Sequence, residues 1–387
     1  MTTRLHGALL AAGVVLLAPA GMAAGTITTG TILYGGVGGA PPGEGSANVG
    51  AVVIVDQTTA ALTIVGSPEP GTRLSGIAFD STGALYGSTE GSALPPITSR
   101  LILIDPDTGA LISAIGPITD GAGGPAIGIS DLSVQPGSDV LFGIRAPTDL
   151  HGGGGKLYTI DKTTAVATLV GATPARRDSI AFAPDGTLYE AGFTPPPAVP
   201  VPPTLYTLNP ANAAVLSAVP TSPPDDNYGA LAVRPTDNVL FASDGAGGFI
   251  FTIDPATGNR TQVGSSTGNT LIAALSFRAC VIGIAGATAS PSSLWPPNDR
   301  LVNVAIGYTT TDTCGAAAPV TCSLSVASNE GSSADWSVVD AHDVQLRATR
   351  DGGGNGRIYT VTVTCTDTAG AASNAAVTVT VPHDQGQ

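Results

Sequence analysis

One hairpin recurs along this chain: RLILIDPDTGALISAIG (Arg100 to Gly116), KLYTIDKTTAVATLVG (Lys156 to Gly171), TLYTLNPANAAVLSAV (Thr204 to Val219) and FIFTIDPATGNRTQVG (Phe249 to Gly264). A weaker copy is VVIVDQTTAALTIVG (Val52 to Gly66). Each reads as two strands with the two-residue apolar alternation of a pleated sheet, joined by an Asp/Asn-led turn. A second repeated pair precedes each hairpin: GIAFDSTGALYG (Gly76 to Gly87), SIAFAPDGTLYE (Ser179 to Glu190), ALAVRPTDNVLFA (Ala230 to Ala242) and the variant DLSVQPGSDVLFG (Asp131 to Gly143). The unit is therefore four strands in roughly 50 residues, the period of a propeller blade. The ends of the array are complementary. The first copy starts at TILYGG (Thr31 to Gly36) without an innermost strand, and a lone innermost strand, LIAALSF (Leu271 to Phe277), follows the last copy. Pairing of these two stretches closes a five-bladed ring and removes the long open edge that invites aggregation. An open stack, or a six-bladed ring with a degenerate unit in a long loop, is the alternative.

The phrases LYTID…LVG and IAFAPDGTLY resemble secreted bacterial β-propellers of the NHL-like and YVTN-like groups, over residues 31–277. That resemblance implies the fold and leaves the activity open, because one propeller fold hosts unrelated chemistries.

Beyond Phe277 the pattern changes to a Pro-rich opening and then short β runs. In RIYTVTVTCTD (Arg357 to Asp367), Tyr359, Val361, Val363 and Cys365 share one face, and Val377, Val379 and Val381 repeat the alternation. Residues 280–387 therefore read as a β-sandwich. They resemble an immunoglobulin-like module that ends many exported bacterial proteins, through LWPPN (Leu294 to Asn298), TDTC (Thr311 to Cys314), SNE (Ser328 to Glu330), DWS (Asp335 to Ser337), LRA (Leu346 to Ala348) and the closing VPHDQG (Val381 to Gly386). Asp299 stands where the resemblance leads one to expect His. It implies a spacer or adhesive unit. Trp295 and Trp336 are read as packing residues.

All four cysteines, Cys280, Cys314, Cys322 and Cys365, lie in this last part, and an even number in an exported chain implies two disulfides. Three pairings are open; the short loop inclines the reading to Cys314–Cys322 with Cys280–Cys365. Export itself is read from residues 1–24, where Arg4 and His6 precede the apolar run Ala8 to Ala18 and a small-residue cleavage region. The run is shorter than a bilayer span, and no later segment is apolar enough to cross a membrane. Loss of Arg4 with the leader takes the formal charge from −14 to −15, which disfavours a nucleic-acid partner. Charged residues are only 11% of the chain against an apolar 43%, so disorder is disfavoured and hydroxyls must hydrate much of the surface.

Connections inside each pair are tight, whereas those between second and third strands (Gly35 to Ala51, Gly87 to Ser99, Gly143 to Gly155, Glu190 to Pro203) and between units (Gly116 to Ser130, Pro220 to Tyr228) are long. In a four-stranded meander both long classes emerge on one side, and that face is the expected binding face. Its candidate ligand-binding residues are Asp225, Asp226 and Tyr228, Arg176 and Arg177, and Asp131, with Asp120 beside it. Asp225 and Asp226 supply the oxygens that Ca²⁺ takes, and the arginine pair can grip a carboxylate or sulfate. The turn residues Asp105, Asp161, Asp254 and Asn209 are expected to cap their own turns, and Tyr34, Tyr86, Tyr158, Tyr189 and Tyr206 to pack between blades. His151, among four glycines, has no visible partner, and Pro195 to Pro203 reads as a stiff exposed loop. No nucleophile elbow, P-loop or zinc-protease motif occurs. The reading is a secreted or surface binding protein for a glycan, protein or cell-wall ligand, with no cofactor beyond possible Ca²⁺. An extracellular lyase, lactonase or hydrolase with a channel-bound metal, and a structural envelope protein, are the alternatives.

Overall fold

A computed structural model describes residues 27–39, 48–90, 98–145, 155–174, 179–194, 201–223, 228–244, 248–266 and 270–384. They form an all-β molecule of seven sheets. Five sheets are meanders built from the repeated units. The second sheet runs Arg73–Phe79, Leu85–Glu90, Ser99–Ile104 and Leu111–Pro117; the third Asp131–Val134, Leu141–Arg145, Lys156–Ile160 and Val166–Ala172. The fourth runs Ser179–Phe182, Leu188–Thr194, Val201–Leu208 and Val215–Pro220; the fifth Tyr228–Val233, Leu240–Asp244, Phe249–Ile253 and Arg260–Ser265. The first sheet takes its innermost strand, Leu271–Cys280, from the end of the array, followed by Gly30–Gly39, Val52–Val55 and Leu62–Gly66. Leu33 lies opposite Phe277, Tyr34 opposite Ser276 and Gly36 opposite Ala274, the pairing expected from the sequence.

The innermost strands touch in cyclic order, from the first sheet through the fifth and back to the first. This is a propeller-like arrangement. Adjacent sheets are locked by edge-to-face aromatic pairs: Tyr34 on Phe79, Phe142 on Phe182 and Phe241 on Phe277, with ring centroids 5.0, 5.1 and 5.5 Å apart. Tyr34 and Tyr158 are fully buried, as the Leu-Tyr period implies.

A second joint repeats at the rim. The outermost strand of a sheet ends in a glycine laid against the turn between third and fourth strands of the next sheet. Gly66 meets Thr108 and Gly109, Gly171 meets Asn212, and Gly264 meets Thr59. The last of these joins the fifth sheet to the first. These turns are capped as their sequences imply: Asp105, Asp161 and Asp254 accept backbone N–H groups two residues on, and Asn209 does the same through its amide oxygen. The Thr163 hydroxyl and the N–H groups of Thr163 and Thr164 hold the Asp161 carboxyl down at about 2.

The remaining two sheets face each other as a sandwich. One is Ile27–Thr28, Ala372–Pro382, Gly356–Thr366 and Thr321–Ser328; the other is Ile282–Ser290, Leu301–Asp312, Asp343–Arg347 and Trp336–Val338. Tyr359, Val361, Val363 and Cys365 are all buried against Val304, Ile306, Val344 and Leu346. The motif residues converge on one buried cation. Arg357, 2% exposed, donates to the Asp335 carboxylate (2.7 Å), the Glu330 carbonyl (2.7 Å) and the Tyr359 hydroxyl (2.8 Å), and Tyr359 donates to the Arg347 carbonyl (2.8 Å). One buried guanidinium thus ties SNE, DWS, LRA and RIY together.

The disulfides are Cys280–Cys314 and Cys322–Cys365, which corrects the Cys314–Cys322 inclination. Cys322 sits directly opposite Cys365 on neighbouring strands, Cα atoms 4.0 Å apart. A 3₁₀ turn over Gly315–Ala317 follows Cys314, whose Cα lies 5.2 Å from that of Cys280. Loop length in sequence is a poor guide where strand register has already placed the sulfurs.

Candidate functional site

The sandwich enters the ring where a turn is missing. In the second to fifth sheets the first two strands are joined by tight turns, Asp80 to Gly83, Gln135 to Asp139, Ala183 to Gly186 and Arg234 to Asn238, each closed by a backbone hydrogen bond. In the first sheet the equivalent strands end at Gly30 opposite Cys280 and run straight into the sandwich, at Ile27–Thr28 and at Ile282. The sandwich therefore occupies the place of a turn, on the short-turn side of the ring. Thr31 N–H donates to the Ala369 carbonyl across the join (3.1 Å). A side chain at Gly30 would overlap the backbone of Ala369 and Ala371.

Arg278 completes this mount. It is buried, and its Nη1 donates to Asp107 of the second sheet (2.7 Å), to the Tyr34 hydroxyl (3.4 Å) and to the Cys314 carbonyl (3.4 Å). It plays the part that a turn residue plays elsewhere in the ring. Lys162 joins Asp80 of one sheet to Asp139 of the next at 3.0 and 2.5 Å, and Arg234 bonds Gln57 at 3.0 Å.

Each innermost strand has one edge without a strand partner, and these edges face the ring axis. Side chains satisfy them. Asp131 is fully buried; its Oδ1 accepts Leu132 N–H (2.8 Å) and its Oδ2 accepts Ile180 N–H (3.1 Å), with Leu231 N–H also bonding it. Burial pushes this carboxyl well above the usual range, outweighing the three N–H groups that favour the anion. Asp131 thus bridges the third, fourth and fifth sheets. Nearer the short-turn end, the Ser133 hydroxyl accepts Phe182 N–H (3.0 Å) and the Ser276 hydroxyl accepts Phe79 N–H (3.1 Å).

On that side the channel widens into a cavity of 480 Å³, within the size range of small-molecule sites. Its walls are the innermost strands, its rim the short turns, and Val281 and Thr313 border it from the sandwich. Sequence reasoning looked to the other face and missed this cavity. A signal was present in the aligned strand ends GIAF, DLSV, SIAF, ALAV and ALSF, where Ser133 and Ser276 replace alanine at one level.

Of the sequence candidates, Arg176, Arg177, Asp225, Asp226 and His151 lie outside the described residues, as does the stretch 1–24 read as a leader. Tyr228 is 5% exposed, packs on Phe251 and donates to the Thr221 hydroxyl (2.7 Å). Asp120 accepts a hydrogen bond from Tyr158 (3.3 Å). Asp131 and Tyr228 are thus framework groups in the described structure. Among the described residues no three His, Cys, Asp or Glu side chains group to hold a metal ion. No helix among them is long and apolar enough to cross a membrane. The two disulfides accord with an oxidising, extracellular setting.

Fold and site together define a propeller-like all-β protein with a disulfide-bonded, sandwich-like partner. No family model and no curated protein matches the chain. Among solved structures it is similar to a chain of a nidogen/laminin complex, at 10% identity, TM-score 0.42, over 64% of this chain and 98% of that one. It is also similar to TolB from Acinetobacter baumannii (13% identity, TM-score 0.38, 90% of this chain and 64% of that one). A third is the glutaminyl cyclase of Myxococcus xanthus (14%, 0.33, 52% and 69%). All three likenesses are distant.

Proposed function

We propose that this chain is an exported, non-catalytic binding protein: a five-bladed β-propeller mounted on an immunoglobulin-like module, which engages a glycan, protein or cell-wall ligand through its long-loop end. The observation that carries the reading is the mount. The sandwich replaces a short turn, so it stands at the end of the ring opposite the strand ends from which the long connections leave, and two strands, a disulfide and Arg278 tie the two parts together. Rigid scaffolds with variable loops at one end are suited to recognition. The charged groups on the opposite rim support binding over catalysis, because Lys162, Asp80, Asp139, Arg278 and Asp107 are engaged with one another. The leader at 1–24 and both disulfides suit secretion or display at the cell surface. Asp225 and Asp226 would supply the oxygens for Ca²⁺ if that ion takes part.

The test is a glycan and cell-wall binding screen of the chain without its leader, repeated with R176A/R177A and with D225A/D226A. Loss of at least tenfold in affinity in either loop variant is expected. Binding unchanged in both, but lost on Trp295→Ala in the sandwich, would overturn the assignment of the working face. Dependence of binding on calcium, abolished by D225A/D226A, would place the ion there.

A further inference from the structure

We propose that the cavity on the ring axis, at the end carrying the sandwich, is a second binding site, for an uncharged, largely apolar small molecule bearing a carbonyl oxygen. It lies opposite the loops considered above and stands or falls independently of them. Three observations select this chemistry. First, the wall is largely apolar: Phe79, Phe182 and Phe277 border it with Ala181 and Ala232, backed by the buried Leu132, Leu231 and Leu275. Its volume of 480 Å³ admits a molecule of one or two rings or a medium aliphatic chain.

Second, the wall carries two placed donors. Ser133 and Ser276 each accept one N–H group, from Phe182 and Phe79, which fixes the two hydroxyl oxygens within the ring. Each hydroxyl retains a proton, for which no protein acceptor occurs among the described residues. Both side chains are partly open, and both border the cavity. A hydroxyl proton in an apolar cavity is satisfied by an acceptor on the occupant. A ligand carbonyl meets that need at both serines.

Third, the charges at the mouth leave nothing for an ionic ligand. Lys162 is shared between Asp80 and Asp139, and Arg278 is held by Asp107. With Asp185 and the paired Arg234 and Asp237 on the other rim turns, carboxylates outnumber cations at the mouth, and the residual negative charge repels anions. A cation would be drawn to the rim carboxylates, but among the described residues the innermost strands line the wall with no carboxylate deeper in, so entry carries a heavy desolvation cost. The neutral occupant remains. The sandwich shapes its entrance, since Val281 and Thr313 stand at the rim and the Thr313 hydroxyl is fixed between Val281 N–H (2.8 Å) and the Ala279 carbonyl (3.2 Å).

Benzophenone, an uncharged apolar ketone that inserts into nearby C–H bonds under light, tests this on the full chain. Adducts are expected on peptides containing residues 79–83, 132–137, 181–184, 231–235 and 275–281, mapped by mass spectrometry. Ala232→Leu, which fills the wall from the fifth sheet, is expected to lower those adducts at least tenfold, and the anionic analogue 4-benzoylbenzoate to label them at least tenfold less. Adducts confined to other surfaces, adducts undiminished in folded Ala232→Leu, or equal labelling by the anion would each overturn the proposal. The mapping on the unaltered chain decides the matter even if Ala232→Leu fails to fold.

Discussion

At the level of single residues, the ring depends on atoms that are absent. Gly264 sits where any Cβ would overlap the Thr59 carbonyl, at the joint of the fifth sheet with the first. Gly264→Val should therefore destabilise the chain by about 1–3 kcal/mol through overpacking. Gly352→Ala, where a Cβ meets nothing within 4 Å, should be close to neutral; urea unfolding of the two variants checks the contrast. Asp131 is the opposite case, a large polar group set where the aligned strands carry Gly76, Ser179, Ala230 and Ala274. Because burial raises its carboxyl above the unfolded value, the folded chain holds this proton more tightly. Its contribution is fully present below the unfolded pKa and is lost as pH rises toward the folded one. Asp131→Asn removes the titration, so the stability of the native chain relative to this variant should fall as the pH is raised from 4 to 7. A difference that grows over that range would show that the three N–H groups hold the carboxylate ionised in the fold.

Among elements, the two disulfides do different work. Cys322–Cys365 links neighbouring strands within one sandwich sheet, across a separation of 43 residues. Cys280–Cys314 spans 34 residues and fixes the last residue of the ring-closing strand to the loop beside Arg278. Each removal should cost about 2–4 kcal/mol. C280A/C314A is expected to speed proteolysis around residues 278–282, while C322A/C365A should leave that segment protected in the folded chain and lower the temperature of the shared transition. Strands and turns were readable in the sequence because alternation and Asp-led turns are local signals. The pairing of Leu271–Phe277 with Thr31–Gly36 was readable because two incomplete units complement each other. Cysteine pairing was not, since it depends on register between strands 43 residues apart. Nor was the axial cavity, because Ser133 and Ser276 become neighbours of Phe182 and Phe79 only once the ring is closed.

For the molecule as a whole, ring and sandwich share one structural fate. The strand that closes the ring, Leu271–Cys280, continues into one sandwich sheet, and the strand it pairs with is preceded by Ile27–Thr28 in the other. Unfolding of the sandwich would release both strands where the ring closes between distant parts of the array, so the two parts should melt together. Arg278 is the coupling whose side chain can be removed while the backbone pairing of its strand is kept. Its side chain is 8% exposed, while Asp107 is 38% exposed, so solvent screens part of the attraction and the loss on Arg278→Ala should be about 1–3 kcal/mol rather than that of a fully buried pair. Calorimetry of the native chain should show one transition, and Arg278→Ala should split it, with the ring opening first because its closing strand has lost the contact to the second sheet. Two separate transitions in the native chain would mean that the paired strands and the Cys280–Cys314 bridge transmit too little stability to couple the parts, and that the sandwich is a passenger on the ring.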